Sequence, residues 1–141
     1  MRAILFSGKS KKNGEWVTGK GVDVNWKDAY IIIPQIDGTV GWSGVDELEV
    51  DPLTVCQYTG LTDKNGKKIF EGDIVNREII LKDNKICFEI NVVKWNNQEA
   101  RFDLYCGEDF TVRFNYWIAC HCEIIGNIHD NPELLGETNG Y

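Results

Sequence analysis

Between Gln57 and Val75 the chain reads QYTGLTDKNGKKIFEGDIV, and few architectures accept that order of residues. Thr59–Gly60 and Asn65–Gly66 are turn dipeptides six residues apart, and Asp63 and Lys64 lead into the second of them. Ile69–Phe70 has the length of a short strand. Glu71–Gly72–Asp73 then permits a sharp change of direction. Gly72 accepts a positive φ because no Cβ clashes there, and the Asp73 carboxylate can bond backbone N–H groups of the turn. Ile74–Val75 restarts a buried strand. Two direction changes in so short a stretch bring separate strands together, so this segment is expected at the centre of a β structure.

The rest of the chain has the same character. Helical periodicity is nearly absent, and short runs of period two recur between turn signals. Strands are expected at Ala3–Phe6, Glu15–Thr18, Val22–Trp26, Tyr30–Ile33 and Thr39–Trp42, with turns at Lys11–Gly14 and Asp37–Gly38 and a stop at Pro34. Val45–Leu53 reads as a connector, and a strand at Thr54–Tyr58 leads into the central segment. Beyond it, Asp73–Leu81 and Ile86–Trp95 flank a turn at Asp83–Lys85, and Phe88, Ile90 and Val92 share a face. After a turn at Asn96–Gln98, Phe102, Leu104 and Cys106 share another. A turn at Gly107–Asp109 precedes the alternating Phe110, Val112, Phe114 and Tyr116. A last strand covers about Cys122–Ile128. Asn131–Leu135 reads as one helical turn, with Asn131 as its cap and Pro132 in the first position, where a missing N–H costs nothing. The expected fold is mainly β: an N-terminal β unit over 1–52, a C-terminal barrel-like or sandwich-like unit over 53–135, and a tail over 136–141.

Charge narrows the partners. The 141 residues carry a net charge of -7. The first twenty hold five basic residues against Glu15, a net +4, and the remainder holds ten basic against twenty-one acidic, a net -11. An acidic surface repels phosphate backbones, while the basic N-terminal edge keeps local nucleic-acid binding open. The five cysteines, Cys56, Cys87, Cys106, Cys120 and Cys122, are odd in number, and Met1–Ser10 lacks the apolar run of a secretory leader. The expectation is a cytoplasmic chain with reduced thiols, no disulfides and no membrane span.

At these residues the chain resembles the YopX family of phage and prophage proteins. The likeness is carried by QYTGLTDKNGKKIFEGDIV at 57–75, EIIGNIHDNPELL at 123–135, MRAILFSGKSKKNGEWVTG at 1–19 and VDPLTVCQYTG at 50–60. Residues 76–122 match more loosely, through strand pattern and KWNNQEARF at 94–102. The resemblance implies a phage-derived gene, a mainly β fold and an SH3-like barrel in the C-terminal part. It brings no catalytic residues. Cys56 stands where the resembling sequences carry glycine.

Candidate chemistry is sparse. Cys120–His121–Cys122 invites a metal, but on a strand the two thiols share one face and His121 the other, and a fourth ligand is missing. A thiol nucleophile needs a basic partner. Glu71 and Asp73 form a carboxylate pair that could serve hydrolysis or a cation, yet turn geometry alone accounts for them. No phosphate-binding loop, dinucleotide fingerprint, serine-hydrolase elbow, zinc-protease motif or EF-hand is present. Neither metal nor cofactor is expected. Trp16, Trp26, Trp42, Trp95 and Trp117 are more suggestive. Trp95 and Trp117 fall off the apolar faces of their strands and are candidate binding anchors, with packing between β units or subunits as the plainer alternative. Lys94, Arg101 and Arg113 could help aromatics stack single-stranded nucleic acid, although Glu99, Asp103, Glu108 and Asp109 oppose it. The leading expectation is a non-enzymatic protein-interaction module that binds a protein partner or itself. A nucleic-acid-binding module using the basic N-terminal region and the barrel aromatics, and a hydrolase around Glu71 and Asp73, are the alternatives.

Overall fold

A computed structural model describes residues 2–25, 27–33, 48–107 and 110–136. The expected strand at Thr39–Trp42, the turn at Asp37–Gly38, Trp26, Trp42, Glu108, Asp109 and most of the C-terminal tail lie outside the described residues. The chain is mainly β and divides into two compact units, Met1–Tyr58 and Thr59–Tyr141.

The first unit is built from short strands. β1 (Phe6–Lys9) and β2 (Trp16–Gly19) form an antiparallel hairpin in which Ser7 faces Thr18. The strand expected at Ala3–Phe6 thus begins where that segment ends. β3 (Gly21–Val24) and β4 (Ala29–Ile32) form a second hairpin. Asn25 makes its turn by accepting the N–H groups of Lys27 and Asp28 at 2.8 and 2.7 Å, the local bonding that favours Asn in turns. Inside the expected connector lies β5 (Glu49–Val50), paired to β4 through Ala29 and Val50. The core is small: Ala29, Ile31 and Val50, with Phe6, Val17, Val22 and Val55 partly buried around it. A 3-10 turn at Pro52–Thr54 is capped by Asp51, whose side chain accepts the Leu53 N–H.

β6 (Cys56–Thr62) crosses from the first unit to the second, and its opening residues pair with β1. Gly60 was expected to turn the chain; the strand instead continues through it, with Gly60 at φ 90°. The real turn comes at Asp63–Lys67 and leads into β7 (Lys68–Phe70).

The second unit is dominated by one antiparallel sheet in the order β11-β10-β9-β8-β12. Its strands are β8 (Asp73–Ile80), β9 (Ile86–Asn96), β10 (Arg101–Tyr105), β11 (Thr111–Arg113) and β12 (Cys122–Asn127). Among the described residues the pairings of this unit's large sheet are those of this ladder. One face packs Val75, Val93, Leu104 and Cys122 with Ile69, Phe114 and Ala119. The opposite face packs Ile74 and Val92 under Leu135, with Ile125, Ile128 and Leu134 around them. The 3-10 turn Pro132–Leu135 delivers both leucines to that face. Asn131 does not cap this turn with its side chain. Its Oδ1 instead accepts the Asn127 N–H at 3.3 Å, closing the loop behind β12.

Period two misled at one place. The alternation through Tyr116 was expected to be a single strand, but β11 stops at Arg113 and α1 (Tyr116–Ala119) follows. Asn115 caps the helix by accepting the Ile118 N–H at 3.0 Å, which satisfies a donor that helical geometry leaves free.

Candidate functional site

The Glu71–Gly72–Asp73 turn is a structural joint. Gly72 sits at φ 90°, with its N–H on the Val93 carbonyl at 2.7 Å and its carbonyl on the Ile128 N–H at 2.9 Å. Asp73 accepts the Phe70 N–H at 2.8 Å. Burial pushes the Asp73 carboxyl up to about 6, against the smaller lowering effects of that bond and of Lys67. Asp63 behaves in the opposite way. Burial alone would raise it, but the backbone N–H groups of Ile124, Lys67 and Asn65 together hold the carboxyl below its ordinary value. A carboxylate that accepts several N–H bonds is stabilised as the anion. Both acids are committed to backbone groups of the turns they organise.

Cysteine chemistry finds no assembly. Cys120 ends α1 and Cys122 begins β12, so the expected shared strand face does not form. Cys120 and Cys122 donate to the carbonyls of Trp117 and Ile118 at 3.0 and 3.2 Å. Burial pushes the Cys122 thiol up to about 12, far from the thiolate a nucleophile requires. His121 faces Glu78, Nδ1 to Oε1 at 3.5 Å. All five cysteines are free, and among the described residues no group of three His, Cys, Asp or Glu side chains could hold a metal ion.

Two of the cations singled out by sequence, Arg101 and Lys94, are engaged. Arg101 Nε donates to the buried Asp103 carboxylate at 2.8 Å, and Asn96 donates to the other Asp103 oxygen at 2.8 Å. Lys94 lies over the Tyr105 ring at 5.5 Å. At the N-terminal edge, Lys11 Nζ reaches Glu49 at 3.4 Å and Asp28 at 4.0 Å. Trp95 faces Phe102 across β9 and β10, their rings edge-on at 5.0 Å, and is 43 % exposed. Arg101 pairs with Asn96 in the next register position, so its side chain lies on the opposite face of the ladder from Trp95. The two do not converge on one site.

Trp117 is placed differently. Phe114 and Ala119 anchor the α1 segment in the core, and the tight helical turn throws Tyr116 and Trp117 outward, 68 and 74 % exposed. Their rings meet edge-on at 5.9 Å. The pair forms a rigid amphipathic knob, because the Asn115 cap and the buried flanking residues fix the backbone beneath it. Phe110, just before β11, is also exposed. A second apolar surface went unread in the sequence. Ile86, Phe88 and Ile90 do share a face, but they lie on a projecting part of β9 and are exposed, with only Val92 buried. Ile80 pairs with Ile86 on the same face. Among the described residues, no helix is long and apolar enough to cross a membrane.

Comparison with known proteins agrees on the type of fold. Residues 5–136 match the family model described as YopX protein. No curated protein matches the chain. Among solved structures, the crystal structure of protein EF1440 from Enterococcus faecalis is similar. It has a TM-score of 0.56 and 23% sequence identity, over 96% of this chain and 99% of that one.

Proposed function

We propose that this chain, which belongs to the YopX protein family, is a non-enzymatic accessory protein of a phage or prophage that works by holding a protein partner. The observation that carries the reading is the Tyr116–Trp117 knob. Two large aromatics stand exposed on a short, capped, core-anchored helix. Tyr and Trp supply much of the binding energy at protein interfaces, since they bury large apolar area with few side-chain torsions to freeze. The backbone commitments of Asp63 and Asp73, and the raised Cys122 thiol, favour binding over catalysis. The pairing of Lys11 with Glu49 and Asp28, on a chain of net charge -7, favours a protein partner over a nucleic acid.

The test is affinity capture from induced host cells with the wild-type chain and with a Tyr116→Ala, Trp117→Ala double variant. Both side chains are exposed, so the variant should keep the wild-type circular dichroism. A protein retained by the wild type and lost by the variant is expected. Identical sets of retained proteins would sink the reading.

A further inference from the structure

The second apolar surface has an open backbone edge beside it. β8 and β9 pair from Ile74–Val92 out to Ile80–Ile86, whereas β10 covers β9 only from Val92 to Asn96. Among the described residues, no strand pairs with β9 from Ile86 to Asn91 on the side away from β8. The Leu81 N–H bonds the Lys85 carbonyl at 2.8 Å, which sets the parity of the ladder. The pairs Ile79–Cys87 and Arg77–Glu89 exchange bonds across it, and Ile80–Ile86 and Glu78–Phe88 point their N–H and C=O groups outward. Glu78 confirms the parity, because its N–H leaves β9 and bonds the His121 carbonyl at 2.9 Å. On β9, Ile86 and Phe88 therefore present donors and acceptors to open space. Natural edges are usually blunted by proline, lysine or a bulge; Ile86–Ile90 has none of these. Its one charge, Glu89, is held by Arg77 at 2.9 Å and Asn91 at 3.0 Å. Beside this edge Ile80, Ile86, Phe88 and Ile90 share one face and stand exposed, a contiguous apolar strip that water solvates poorly.

We propose that a second copy of this chain pairs with this edge, antiparallel, about a two-fold axis at Cys87. Outward groups lie at even positions, so a self-pairing must set even against even. Tyr105 pairs with Val92 and Cys106 follows it in the chain, so the β10 segment takes up the flank of β9 beside Asn91, and an added strand reaches Glu89 and stops. With Cys87 opposite Cys87, Ile86 of each copy bonds Phe88 of the other, and Lys85 stands opposite Glu89 at both ends. Opposite charges across a ladder stabilise it and like charges destabilise it. Centring the axis on Ile86 would set Glu89 against Asp83. Centring it on Phe88 would drive the new strand into Cys106. Charge and space select the same register. This pairing goes beyond the reading at α1 and does not use it.

The test is sedimentation velocity of the full chain over the micromolar range. The mass is expected to double with concentration, and Phe88→Lys should hold it at one chain. In this register the two Cys87 Cα atoms lie about 4.5 Å apart, within the span a disulfide bridges. Diamide, which takes up the two thiol hydrogens, should therefore yield a covalent dimer that Cys87→Ser abolishes. That cross-link decides the matter even if Phe88→Lys fails to fold. A single-chain mass throughout, an undiminished Phe88→Lys dimer, or a covalent dimer persisting in Cys87→Ser would each overturn the proposal. A monomeric wild type would leave the α1 reading to its own capture experiment.

Discussion

The two units solve the problem of a small β core in different ways. The first has strands of two to four residues, and among the described residues its fully buried apolar side chains are Ala29, Ile31 and Val50. Its strands come close because glycines allow it. A Cβ on Gly8 would sit 2.8 Å from Val50 Cγ2, and one on Gly19 would run into the Ile32 carbonyl and Ile31 Cγ2. The second has longer strands and a larger core of Ile69, Val75, Val93, Leu104, Phe114, Ala119 and Cys122. Both units bury polar groups and bond them: Ser7 to Thr18, Ser10 to the Lys12 N–H and Thr54 to the Lys9 N–H in the first, and in the second Asp63 to three N–H groups, Asn91 to Arg77 and Glu89, and Asp103 to Arg101 and Asn96. One unit depends on the absence of side chains, the other on their volume.

That contrast can be broken from either side. Leu104 is fully buried, so Leu104→Ala should cost about 3–4 kcal/mol of stability through lost burial and an unfilled cavity. Urea unfolding would measure it; a loss under about 1 kcal/mol would deny that volume holds this unit. Gly19→Ala should cost about 2 kcal/mol, because a backbone carbonyl cannot swing aside as a side chain does. Hydrogen exchange should show the earliest loss of protection in β2 and β4. Unchanged exchange there would remove close approach as the explanation.

Asp73 gives a pH-dependent test. Its folded value of about 6 lies above its ordinary 3.8. The stability it contributes is therefore full below about 3.8 and is lost as pH rises through about 6. Asp73→Asn keeps an acceptor for the Phe70 N–H and removes the titration. Relative to wild type, the variant should gain about 2 kcal/mol between pH 4 and pH 7. Parallel stability profiles would show that the carboxyl does not titrate there. The smallest effect is expected at the knob: Trp117→Ala should change stability by no more than about 0.5 kcal/mol. A larger loss would mean that the ring packs as part of the core.

Much of this was legible from residue types. Asn65–Gly66, Gly72 and the Asp83–Asn84–Lys85 turn announce themselves through positive φ, which Asn and Gly tolerate, and the structure has Gly66 at 81°, Gly72 at 90° and Asn84 at 65°. Helix α1 was not legible. Four residues are too few to show a period of 3.6, and Thr111–Tyr116 alternates like a strand. The signal that could have revealed the helix was Asn115, a single capping side chain. The surfaces were hidden for another reason. Alternation says that Phe88, Ile90 and Val92 share a face, but not how far a neighbouring strand covers it. β10 ends at Tyr105, opposite Val92, and among the described residues no strand continues along that side of β9.

Asp63 carries a consequence for the order in which the chain can be assembled. Asn65 and Lys67 reach its carboxylate from the next few residues, but Ile124 reaches it from sixty-one positions away. Such distant contacts form late, since a long loop must close first. During synthesis, the turn after β6 can take shape as soon as it leaves the ribosome, while the third N–H exists only once β12 has been made. The most recognisable stretch of the chain is thus completed by a strand translated sixty-one positions later, and a product truncated before β12 would keep the turn while losing the clasp that joins it to the sheet.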